Sequence, residues 1–113
     1  MAEQIVVESV ESYNDYLVKV PSGCLAIAEH LRNEEVSQAL QVILQFSEGA
    51  MWLVNASTAL QKLGVVVDLP VERIHEFLNE INSGLEIQDY VLVADLFEYE
   101  MAPFFEECTK IEI

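Results

Sequence analysis

Helix breakers are scarce in this chain. Four glycines and three prolines serve 113 residues, and most fall at boundaries of the apolar periodicity. The stretch from Asn33 to Gly64 contains no proline, which predicts a helix over 34–63, well beyond the roughly 10–14 residues usual in globular proteins. Asn33 reads as its N-cap, with Glu34 and Glu35 in a first turn that favours negative charge. Lys62-Leu63-Gly64 reads as its stop: a base in the last turn, then a glycine for the left-handed position. Asp68 reads as the next N-cap, with Pro70 in the first turn, where no amide partner is lost. That opens a helix over 69–83, closed by Ser83-Gly84, and a last helix follows over 86–109. Tyr13, Tyr16, Leu17, Val20, Cys24, Ile27 and Leu31 hold one helical phase across Pro21-Ser22-Gly23, so one kinked helix is expected over 12–32. The only strand candidates, both marginal, are "QIVVES" at the start and "TKIEI" at the end. The fold expected is all-α: a single domain over 1–113, built as an antiparallel four-helix bundle with a long central second helix.

Composition narrows the function classes. The chain is 52 % hydrophobic, enough to fill a core, and has a net charge of −15. Residues 1–56 carry eight acids and two bases, and residues 57–113 twelve and three, so no single tail holds the charge. Such a field repels phosphate backbones and anionic bilayers, which argues against nucleic-acid and membrane binding and favours basic partners. No apolar run approaches the roughly 20 residues that span a bilayer. The opening "MAEQIVVES" lacks the basic and apolar regions of a secretory signal. Cys24 and Cys108 therefore read as free, buried thiols of a cytoplasmic protein.

The second helix carries two apolar stripes. One is Ala39, Val42, Phe46, Gly49, Leu53, Ala56, Leu60 and Leu63; the other is Val36, Leu40, Ile43, Ala50 and Val54. It is expected to be covered on two sides. Trp52 lies outside both stripes, and reads either as a rim side chain lying over its neighbours or as an interface anchor. In the last helix, "ADLFEYEMAPFFEEC" interleaves five acids with four aromatic rings. Projected at about 100° per residue, Tyr90, Val93, Ala94, Phe97, Met101, Phe104, Phe105 and Cys108 share one core arc, with the acids to either side. A second stripe remains: Leu92, Leu96, Tyr99 and Pro103, flanked by Asp95 and Glu106 on one side and by Glu100 and Glu107 on the other. Such a stripe is expected to be covered, either by residues 4–10 or by a second protein surface. Pro103 is expected to bend the helix. "DLFEYEMAPFF" resembles a D-[LI]-L-E-Y-E-L-x-P-L-[LF] pattern of small, acidic, all-helical bacterial proteins of unassigned function. The resemblance implies that fold and source and carries no activity.

No catalytic, cofactor or metal site emerges. Glu72 and His75 form one Glu-x-x-His unit, which di-iron bundles use twice and facing inward. Here it occurs once, and the core residues Ile74, Phe77, Leu78, Ile81 and Leu85 place Glu72 on the far side. Gly-rich phosphate loops, zinc spacings and nucleophile elbows are absent. The favoured expectation is a non-enzymatic interaction module (an adaptor, regulator or small acidic chaperone) that forms a homodimer or binds a protein partner through Trp52, Leu92, Leu96 and Tyr99. The alternative is a ligand-binding or enzymatic bundle with a pocket near His30 and Tyr16.

Overall fold

A computed structural model describes residues 2–112, and among these no residue is in a strand. Helix α1 spans Ala2–Leu17 and α2 spans Val20–Arg32. Between them the amide of Lys19 bonds the Tyr16 carbonyl at 3.0 Å, a tightened turn that passes Pro21 into the first turn of α2. The kink expected inside one helix is thus a two-residue break. The phase survives it: Val10, Tyr13, Leu17, Val20, Cys24, Ile27 and Leu31 are all buried at three-four spacing. The helix starts ten residues earlier than expected, because Val6 and Val10 continue that phase backwards. "QIVVES" is therefore helical, and residues 109–112 of "TKIEI" are irregular.

Helix α3 spans Val36–Lys62 and is the longest element. Its buried residues Ala39, Ile43, Phe46, Ala50, Leu53, Val54, Ser57 and Leu60 form one broad stripe, not two. That stripe takes members from both expected rows and leaves Leu40 at 42 %, Leu44 at 61 % and Leu63 at 61 % exposure. Asn33 does not cap this helix. It ends α2, and Glu34 follows at φ 62°, in the left-handed region. The Glu35 amide then reaches back to the His30 carbonyl at 2.8 Å and the Glu34 amide to Leu31 at 3.2 Å, a Schellman turn built without glycine. Gly64, at φ 87°, closes α3 by the same pair of bonds, Val65 to Leu60 and Gly64 to Gln61.

After a linker that buries Val67 and Leu69, α4 spans Val71–Glu86, with Pro70 rather than Asp68 at its N-cap. Ile74, Phe77, Ile81 and Gly84 face inward. Gly84 does not end α4. A β-carbon there would lie 2.7 Å from Val93, so the glycine lets α4 and the last helix approach closely. The stop comes four residues later, at Gln88 (φ 55°), in a second glycine-free Schellman turn. Asp89 caps the last helix, its carboxylate accepting from the Leu92 amide at 3.1 Å.

The last helix has three segments: α5 (Tyr90–Asp95), a π-helical segment (Leu96–Met101) and α6 (Ala102–Glu107). Pro103 has no amide hydrogen to offer the preceding turn. That turn widens, and the Ala102 amide bonds the Phe97 carbonyl five residues back. A π turn holds about one extra residue, so everything beyond it is set back by roughly 100°. Pro103 therefore changes the helix's register.

The α1–α2 column, α3, α4 and the last helix form a four-rod bundle, 48 × 21 × 21 Å. Phe46 of α3 meets Phe97 and Phe105 edge-on at 5.3 and 5.9 Å, and Phe104 joins Phe77 to Phe105 at 5.3 and 5.0 Å. The tail folds back along α1. The Asn14 side chain donates to the Ile111 carbonyl at 3.0 Å and accepts its amide at 2.8 Å, and Ile111 is buried. No helix among the described residues is long and apolar enough to cross a membrane.

Candidate functional site

The four residues expected to form one interaction surface occupy three environments. Leu96 is buried at 3 % exposure, so it cannot centre an exposed stripe. The register change explains this. Setting back the second half of the helix swings the core direction towards Leu96 and draws Ala102 inward as well, and both are buried. Leu92 keeps 43 % exposure and lies over the notch at Gly84, while Tyr99 keeps 66 %. Residues 4–10 do not cover them, because they belong to α1, which packs on α3.

The acids around this helix are also engaged. Arg32 donates to Asp95 at 2.8 Å and to Glu98 at 3.0 Å, with its guanidinium 5.8 Å from the centre of the Tyr99 ring. Arg73 stands 4.0 Å from the Phe77 ring centre and reaches Glu76 at 2.9 Å, Glu100 at 3.3 Å and Glu80 at 3.4 Å. Hydrogen bonds to these carboxylates push both guanidinium pKa values up. These are the chain's only arginines, and both join the last helix to other parts of the bundle.

Trp52 lies elsewhere, on the α1–α3 face. It is 42 % exposed and meets Tyr16 edge-on at 5.8 Å. The Tyr16 hydroxyl sits where a side chain on Gly49 would otherwise be, 1.6 Å from the position of a β-carbon there. Trp52 heads a groove of about 400 Å³ between α1 and the C-terminal half of α3, where Ile5 and Leu63 stand 63 % and 61 % exposed. A second groove, about 510 Å³ and lined in part by Tyr16, Val20, Ile27 and Phe46, lies between the α1–α2 column and the N-terminal half of α3. His30 is not part of it. Its ring nitrogen lies 3.1 Å from Glu35, and of the two residues expected near a pocket only Tyr16 lines this groove.

Ile5 and Leu63 were missed by the sequence reading, Ile5 because residues 1–11 were placed outside the helices. The spacing of Ile5, Ser9 and Ser12 on the Tyr16 side of that helix was the available signal.

The largest acidity shifts fall on Cys24, Tyr13 and Cys108, and burial also raises Tyr16, which lines the second groove. Burial pushes the Cys24 thiol up to about 12. Cys108 is only half-buried, contrary to expectation, and burial with the nearby charge of Asp68 raises it to about 11. Tyr13 is fully buried and its hydroxyl has no partner among the described residues. Burial, then Cys108 and Asp68, raises it to about 12. None is poised to ionise near neutral pH. Glu72 and His75 both face solvent.

The family model described as Domain of unknown function (DUF8042) matches residues 8–111. No curated protein and no solved structure matches the chain.

Proposed function

We propose that this chain, which belongs to the DUF8042 family, is a non-enzymatic protein–protein interaction module that works through apolar surface set in an acidic field. One observation carries the reading. Large apolar side chains stand in the open beside a half-exposed tryptophan, while the strongly shifted Cys24 thiol and Tyr13 hydroxyl are shut in the core and Cys108 lies half-buried away from that face. A catalytic site needs reactive groups tuned and reachable in one cleft. An interaction surface needs an exposed apolar cluster with an aromatic anchor, and the α1–α3 face offers one. The competing reading is a ligand pocket near His30 and Tyr16; the groove at Tyr16 does not include His30.

Affinity capture from the source cell with tagged chain tests this reading. The expected result is a protein partner recovered in stoichiometric amount with the wild type and lost with Trp52→Ala. Recovery of the chain alone, combined with a bound metabolite, would overturn it.

A further inference from the structure

We infer that the groove between α1 and the C-terminal half of α3 receives a basic, amphipathic helix from a partner protein. This rests on the interaction reading above and names its surface and the partner's chemistry. The groove's walls are two helices, whose backbone amides and carbonyls are already paired within each helix, so an added strand would find no edge to bond. Apolar side chains are what it offers: Trp52 at one end, Ile5 and Leu63 on the rim, Ala56 and Leu60 between them. From Trp52 to Leu63 is about 16 Å along α3, or roughly three turns of a helix laid against it. Apolar anchors at i, i+4, i+7 and i+11 would span that length.

Charge selects the occupant. By helical projection Glu8, Glu11 and Asp15 line the outer edge of α1 and Glu48 continues the edge on α3, and all four are exposed. Among the described residues none of them has an ion-pair partner, because both arginines are engaged on the last helix. Two bases lie near this edge, Lys62 on α3 and Lys19, which lines the neighbouring groove with Glu48. A second copy would bring the same acids against each other, each chain at net −15. A helix with an apolar face and lysine or arginine flanks meets both features of the groove.

The test uses the intact chain and the chemistry of Trp52, its only tryptophan. The probe is a synthetic, tryptophan-free peptide of about 18 residues, with leucines on one helical face and lysine and arginine elsewhere. Its control keeps the leucines and replaces every base by glutamate. Emission from Trp52, calorimetry and sedimentation are read together. The expected result is a saturable blue shift with the basic peptide, at least tenfold weaker with the acidic one, and weakened by added salt. Ala59→Glu, at an exposed position in the groove, should abolish the shift while leaving helix content and thermal midpoint unchanged. That variant adds negative charge, so attraction by charge alone would make it bind the basic peptide more tightly. Glu8→Lys with Glu11→Lys should weaken binding at least fivefold. Three results would overturn the inference: an equal response to both peptides, no response to the basic one, or a dimer that Ala59→Glu dissociates. Heat of binding without a Trp52 response would also overturn it, while leaving the interaction reading in place on another surface. Whether any partner exists is decided separately by the capture experiment.

Discussion

The region where α2, α4 and the last helix meet and the face where α1 lies along α3 are made from the same kinds of residue. Both carry apolar rows edged by acids. In the first, two arginines pair with five carboxylates and cross from α2 and α4 to the last helix. In the second, the acids stand without arginine beside an open groove. An acidic surface of this density is thus two different surfaces, and the placement of two cations separates them. The arginine-clasped region has its acids paired within the chain. The α1–α3 face is left with charge and apolar area unmatched within the chain.

The largest test of that contrast compares a glutamate placed in each region. Leu96→Glu puts a carboxylate where only 3 % of the side chain meets water. It should cost more than about 4 kcal/mol in denaturant unfolding, enough to leave a chain of this size largely unfolded. Ile5→Glu, at a position 63 % exposed, should change stability by no more than about 0.5 kcal/mol. Equal costs would erase the distinction.

Alkaline titration probes the core beneath both regions. Cys24, Cys108 and Tyr13 all have folded-state pKa values above their ordinary 9.0, 9.0 and 10.0, at about 12, 11 and 12. Above pH 9 the unfolded chain loses these protons first. Stability should therefore be unaffected by them below pH 9 and fall as pH rises towards 12, by an amount on the order of a few kcal/mol. Unfolding followed by circular dichroism against pH should show this loss, and Cys24→Ala should make it shallower. A stability that rises above pH 9 would contradict the burial of all three groups.

Between the two regions sits Gly49. Gly49→Ala would set a methyl group 1.6 Å from the Tyr16 hydroxyl and must displace the ring, which breaks its edge contact with Trp52. The expected cost is about 1–3 kcal/mol, accompanied by a change in Trp52 emission. A stable variant with unaltered emission would mean that Tyr16 does not position Trp52.

Helix class and phase were legible in the sequence because three-four spacing is a geometric demand that side chains repeat on every turn. Tyr13, Leu17, Val20, Cys24, Ile27 and Leu31 were placed correctly in the core, even across a break. What was not legible shares one cause: local rules predict what a residue prefers, and packing chose otherwise. Gly84 reads as a stop but is a notch for Val93. Pro103 reads as a bend but accompanies a π turn, and a single added residue was enough to move Leu96 from the expected surface into the core. Of the expected surface, Trp52, Leu92 and Tyr99 are exposed. The pairing of Arg32 and Arg73 with acids as many as 66 residues away was invisible to any window-based reading.

The smallest effect concerns the turns. Three helices end in the same Schellman geometry, with Gly64 in the left-handed position after α3 but Glu34 after α2 and Gln88 after α4. Glu34 and Gln88 both line one cleft at the arginine-clasped region, together with Arg32 and Asp89. A side chain in the left-handed region crowds its β-carbon against the following carbonyl, at roughly 1–2 kcal/mol, and glycine escapes that crowding. Glu34→Gly and Gln88→Gly should therefore each stabilise the fold, by about 1 kcal/mol after the extra entropy of a glycine in the unfolded chain is offset. Gly64→Ala should lose a similar amount. Denaturant midpoints at constant slope would record all three. If Glu34→Gly and Gln88→Gly destabilise instead, their side chains make contacts in that cleft that outweigh the backbone strain, and the clasped region is held by more than its two arginines.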